Sequence, residues 1–120
     1  MEQIWLGIYH KMSSDKKRIR QQFRDSCFLR DKYSCVMCGF KSSPEKAISD
    51  LDCHHIKNRN ELDNGGYCTA NGISLCATCH EKAEELHSTG ISHEGFSEND
   101  LYNAIGSSLE KAIKDSKKLK

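Results

Sequence analysis

The residues able to do chemistry crowd into one stretch. They are two adjacent imidazoles in Asp52-Cys53-His54-His55-Ile56, a lone amide at Asn71, and a cysteine pair running into a third imidazole in Cys76-Ala77-Thr78-Cys79-His80. An imidazole accepts a proton near neutral pH or binds a metal, and thiolates bind soft ions. Together they supply a proton acceptor, metal ligands and a structural clamp, which is the equipment of a nuclease site.

The cysteines divide by spacing. Cys35-x-x-Cys38-Gly39 and Cys76-x-x-Cys79 offer four soft ligands in two pairs, a set that suits tetrahedral Zn²⁺ and leaves no open position, so a structural zinc is expected. It would tie the segment before the first strand to the start of the following helix. Cys27, Cys53 and Cys68 lack paired spacing and read as small buried hydrophobes. On a strand, neighbouring side chains point to opposite faces, so His54 and His55 are poorly placed to serve one ion alike. A division of labour follows, one imidazole on a second metal and the other free as a base. His10, His87 and His93 read as ordinary histidines, with His87 a weaker candidate for a phosphate contact near the helical face of His80.

These residues need elements to carry them. Ile48 to Ile56 reads as a strand with Leu51 and Cys53 on one side, Lys57 to Thr69 as a loop rich in Asn, Asp and Gly, and Gly72 to Leu75 as the returning strand. A helix is expected from about Cys79 to His87, with Ala83 and Leu86 facing inward. Upstream, Ile19, Phe23 and Cys27 recur at four-residue spacing in a helix starting at Asp15, a candidate N-cap. Before it, Ile4 to Tyr9 is apolar without a period, either an added strand or a segment packed on the body. Ser97 with Asp100 reads as a capping pair for one last helix carrying the stripe Leu101, Ile105, Leu109 and Ile113. The expected organisation is an N-terminal extension over 1–14, a catalytic domain over 15–90 and a C-terminal connector and helix over 91–120.

Bulk properties bound the reading. With 120 residues, 37% hydrophobic, the chain makes one small domain with a modest core, for which a metal staple is a reasonable aid. Seven cysteines without an export signal fit metal thiolates better than disulfides. No apolar run approaches the roughly 20 residues that span a bilayer, so a soluble, cytoplasmic protein without a membrane partner is expected. The net charge of +1 hides a pattern: Lys11 to Lys32 holds eight Lys/Arg against three Asp, and Glu81 to Asp100 one Lys against six acids. The basic helix is open to two readings, a solvated face or a phosphate-binding one.

Taken together, Phe23-Arg24, Leu29-Arg30-Asp31-Lys32-Tyr33, Cys35-x-x-Cys38-Gly39, Asp52-x-His54-His55-Ile56 and Asn71-Gly72-Ile73-x-Leu75-Cys76-x-x-Cys79-His80 resemble the HNH endonuclease family. The resemblance runs from about Phe23 to His87, roughly half the chain. It implies an α+β fold, a small ββα-metal (His-Me finger) core stapled by the structural zinc, with flanking N- and C-terminal helices. It further implies a metal-dependent endonuclease acting on DNA, with RNA as a second possible substrate. His55 would be the general base that activates water. His54 and His80 would hold the catalytic divalent ion, Mg²⁺ or Mn²⁺, and Asn71 would brace the loop that orients His55. Lys16, Lys17, Arg20, Arg24, Lys57 and Arg59 would contact phosphates. Glu84, one turn after His80, stands where family members carry a His or Asn. Two rival readings are a zinc-stapled nucleic-acid-binding module without turnover, and a phage packaging accessory that docks a partner through its last helix; a homodimer is a further expectation.

Overall fold

The computed structural model describes residues 2–119, and side chains from Asp15 onward. Helix α1 spans Glu2–Arg30, so of the two readings of Ile4 to Tyr9 the added strand is ruled out by a helical backbone, and Asp15 lies inside the helix instead of capping it. How the side chains of residues 1–14 pack falls outside the described residues. Lys32 and Tyr33 then take left-handed backbone, φ 56° and 57°, and turn the chain into the Cys35–Cys38 knuckle. An isolated bridge between Ser34 and Lys41 closes that knuckle, and Gly39, at φ 82°, allows its tight return.

A single helical turn, α2 (Ala47–Asp50), stands where the strand was expected to begin, and β1 (Leu51–His55) follows it. After three short 3-10 turns the chain returns as β2 (Gly72–Cys76), antiparallel to β1, with Leu51 opposite Cys76 and His55 opposite Gly72. Helix α3 (Ala77–Thr89) leaves β2 directly and ends on Gly90, whose φ of 81° suits a left-handed C-terminal cap. The expected last helix is two: α4 (Glu98–Ala104), with the capping box of Ser97 and Asp100 in place, and α5 (Leu109–Lys117), capped by Ser108. Gly106 at φ 68° breaks them, so Leu101 and Tyr102 of α4 and Ala112 of α5 are buried while Ile113 is exposed.

Strand alternation sorts the layers. Leu51, Cys53 and His55, with their cross-strand partners, share one face, and Asp52 and His54 share the other. Helix α1 closes the first face and α3 the second. Between them the core gathers Phe28, Leu51, Ile56, Ile73, Leu75 and Leu101. The end of α1 is clamped by side chains. Arg30 forms a two-pronged pair with Asp31 at 2.7 Å and donates to the carbonyls of Thr69 and Gly72, while Asp31 accepts from the amide of Ser74.

Gly72 is where α1 and β2 come closest. Its φ of −117° would suit any residue, but a Cβ there would lie 2.4 Å from Cys27 Sγ and 2.7 Å from the Phe23 ring. Both neighbours are buried and have little room to give. Gly72→Ala is therefore expected to destabilise the fold by about 1–3 kcal/mol, measured as a lower midpoint of chemical unfolding. An unchanged midpoint would show that the helix packs more loosely than described.

Candidate active site

The two Cys-x-x-Cys pairs meet at one point. Cys35, Cys38, Cys76 and Cys79 place one sulfur each within 4.8 Å of the others, and Cys38 Sγ lies 3.6 Å from Cys76 Sγ. Such a group can hold a metal. Burial opposes ionisation of Cys35, but the backbone N–H groups of Cys76, Cys38 and Met37 outweigh it and bring its thiol down to about 7. Burial and then the neighbouring Cys35 and Cys76 push the Cys79 thiol up, so without an ion the four sulfurs do not all ionise together. Cys27, Cys53 and Cys68 stand apart from this group, and all three are free thiols.

On the α3 side of the hairpin, β1 and α3 bring three donors together. His54 is buried, and its Nδ1 lies 3.0 Å from Glu84 Oε1. His80, one turn before Glu84 on α3, places Nε2 3.3 Å from the same oxygen and Nδ1 3.2 Å from Asp52 Oδ2. His54, His80 and Glu84 each offer one atom within 4.8 Å of the others, so this is a second group that can hold a metal. Burial first, then the charges of His80, His87 and His55, push the His54 imidazole down to about 3, leaving it neutral and able to ligate.

His80 thus turns one ring nitrogen toward the Asp52 carboxylate and the other toward Glu84. The donor set of two imidazoles and a carboxylate fits a divalent ion.

On the α1 side His55 has a different setting. Its ring stacks on Phe23 at 4.5 Å between centroids and meets Tyr67 edge-on at 4.7 Å. Nε2 is enclosed and has no partner. Burial, then Arg59 and His87, hold the imidazole down to about 4, so it is neutral at pH 7 and can accept a proton. His54, His55, Arg59, His80, Glu84 and His87 all line one cleft of about 430 Å³. His87 also donates from Nε2 to the carbonyl of His55 at 3.1 Å and stacks on His54.

Asn71 is fully buried, with Oδ1 accepting from the amide of Lys57 at 3.0 Å and Nδ2 donating to the carbonyls of Lys57 and Gly66. It touches the backbone two residues beyond His55 and does not line the cleft. The basic residues scatter. Arg59 lines the cleft and donates to Tyr67 Oη at 3.2 Å. Burial would raise the Tyr67 phenol, but Arg59 and Arg20 together bring it below its ordinary value, which places Arg20 beside the same hydroxyl. Lys16 and Arg20 line a neighbouring cavity with Tyr67, and Lys17 is exposed. Lys57 is engaged by Glu98 at 3.4 Å and Glu61 at 3.7 Å. Arg24 lies beside Asp25 and lines a groove with Phe28 and Pro44 on another part of the surface.

Tyr67 is the site's addition to the sequence reading, and nothing local marked it, whereas Glu84, already singled out one turn after His80 without a role, is brought to His54 and His80. A hairpin, the helix that follows it and a metal-capable group between them are the parts of a ββα-metal fold. Residues 35–85 match the family model of the HNH endonuclease, so the resemblance carried by the motifs holds over this stretch and points to nuclease activity in general. No curated protein and no solved structure gave a match.

Glu84 is exposed, so replacing it should leave the fold intact. Glu84→Gln is expected to weaken Mn²⁺ binding by about tenfold or more in titration calorimetry, with the metal content of the Cys group unchanged. Equal affinity in the variant would remove Glu84 from the ligand set.

Proposed function

We propose that the protein is a metal-dependent endonuclease that hydrolyses DNA phosphodiester bonds, with His55 as general base. The observation that carries this reading is the pairing of opposites across β1: a three-donor group of His54, His80 and Glu84 on one side, and on the other a neutral imidazole whose Nε2 is enclosed. That enclosure leaves Nδ1 of His55 as the nitrogen able to take a proton from water at the cleft. As the water oxygen bonds to phosphorus, the bond from phosphorus to the leaving oxygen breaks and the proton stays on His55. A divalent ion held by His54, His80 and Glu84, Mg²⁺ or Mn²⁺, would supply positive charge to the phosphate oxygens.

The remaining roles follow from placement. Asp52 holds His80 by one nitrogen and so turns the other toward the ion site, and Asn71 fixes the backbone after His55. Arg59 at the cleft and Arg20, Lys16 and Lys17 along α1 serve as phosphate contacts, and Lys57 acts mainly through its acidic partners. Zn²⁺ is the ion for Cys35, Cys38, Cys76 and Cys79, a set of thiolates with no opening for substrate. Residues 15–90 form the nuclease domain in this reading, and a double-strand cut would take two copies of the chain. Free thiols fit a reducing, cytoplasmic setting. Among the described residues no helix is long and apolar enough to cross a membrane.

Supercoiled plasmid incubated with the protein and Mg²⁺ or Mn²⁺ should be nicked, EDTA should stop the reaction, and His55→Ala should lower the rate by about 10²-fold or more while zinc content stays the same. Binding of DNA without cleavage in any metal would favour the non-catalytic module. Equal cleavage by His55→Ala would remove the base from its role.

A further inference from the structure

Beyond the stretch that matches the family, α4 reaches back to the site. Tyr102 is buried, and its Oη donates to Asn71 Oδ1 at 2.7 Å. The same Oδ1 accepts from Lys57 N, and Nδ2 donates to Lys57 O at 3.1 Å and to Gly66 O at 3.2 Å. Every bonding position of the amide is therefore filled, two on oxygen and two on nitrogen. The backbone of Asn71 adds a further bond, accepting from the amide of Ile56 at 2.9 Å. The amide group thus clips the chain that emerges from His55, with no donor or acceptor left for substrate.

Tyr102 supplies the one bond of this clip that comes from outside the hairpin and its loop. Gly66 shows how tight the fit is, since a Cβ on it would sit 2.8 Å from Asn71 Nδ2. The arm that carries Tyr102 is itself well fixed. Its capping box anchors the start of α4, Glu98 pairs with Lys57, and Ser107 donates to the carbonyl of Ala70 at 2.8 Å. Asn64 completes the attachment by donating to the carbonyls of Ser116 and Leu119 at the end of α5.

We propose that Tyr102 is a positioning residue for His55, acting through Asn71 on the backbone of Ile56 and Lys57. The inference rests on the reading of His55 as the base. It makes α4 part of the working core and not a free arm for docking a partner. Loss of the hydroxyl leaves Asn71 Oδ1 with one donor in a buried site, and the amide is then less firmly held. The phosphate contacts stay where they are, so substrate binding is unaffected and only the orientation of the imidazole suffers.

The test compares Tyr102→Phe with Ser107→Ala in the full chain. Ser107→Ala removes a bond between the same segments without touching Asn71 or Lys57. Tyr102→Phe is expected to lower kcat for plasmid nicking about tenfold with KM unchanged, and to shift the NMR resonances of the His55 ring and the Lys57 amide. Ser107→Ala should do neither. Wild-type kcat and unmoved resonances in Tyr102→Phe, or an equal loss in Ser107→Ala, overturn the inference. If the wild type does not cleave, the nuclease reading falls and the resonances alone decide: a shift in Tyr102→Phe only upholds the coupling, and no shift overturns it. Hydrogen exchange on the wild type covers a Tyr102→Phe that fails to fold, because the Lys57 amide should exchange slowly and fast exchange overturns the clip.

Discussion

The two-residue alternation of β1 is the constraint on which the structure depends. It sends His54 toward α3 and His55 toward α1, so a metal-capable group and a candidate base lie at one cleft without competing for the same ion. A shift of register by one residue would exchange the two imidazoles and bring neither to its partners. Pairing with β2 guards against such a slip. Ile73, opposite His54, and Leu75, opposite Asp52, are fully buried, and Gly72, opposite His55, leaves room for Phe23 to lie against the imidazole.

Two anchors hold the covering helices on this hairpin. On the α1 side, Arg30 and Asp31 convert a helix end into a clamp on Thr69, Gly72 and Ser74, with the Asp31 side chain only 5% exposed. Burial makes such a charge pair costly unless every prong is bonded, and here the carbonyls and the amide supply the partners. On the other side the Cys group joins the knuckle to the start of α3, and the amide of Val36 donates to the carbonyl of Ser74 to seat the knuckle on β2. A chain of this size with a modest core gains from both, because neither relies on the extent of buried apolar surface.

Much of this was legible in the sequence, and for identifiable reasons. Paired thiols, an imidazole doublet and a capping pair are short-range patterns, and the hairpin, the Cys group and the Ser97–Asp100 box stand where those patterns put them. Elements governed by longer context were misjudged. Four-residue spacing from Leu101 to Ile113 hid the break at Gly106, because periodicity counts residues and does not register a left-handed turn between two helices. Aperiodic Ile4 to Tyr9 gave no helix signal, yet the helix that follows extends through it. The role of Glu84 was open because a carboxylate stood where an imidazole or amide was expected, and only its distance to His54 gives it a place. Tyr102 could not be read at all, since its partner lies 31 positions away and no local pattern links a phenol to a distant amide.

Two separate ion sites within one ββα unit are the centre of this account, one closed by thiolates and one open to the cleft. Anomalous X-ray scattering at the zinc and manganese edges, from crystals of the zinc-loaded protein soaked in Mn²⁺, tests it most directly. The account predicts a zinc peak among Cys35, Cys38, Cys76 and Cys79, and a separate manganese peak touching His54, His80 and Glu84. Manganese bound away from these three, or a single ion shared between the cysteines and His54, would contradict it.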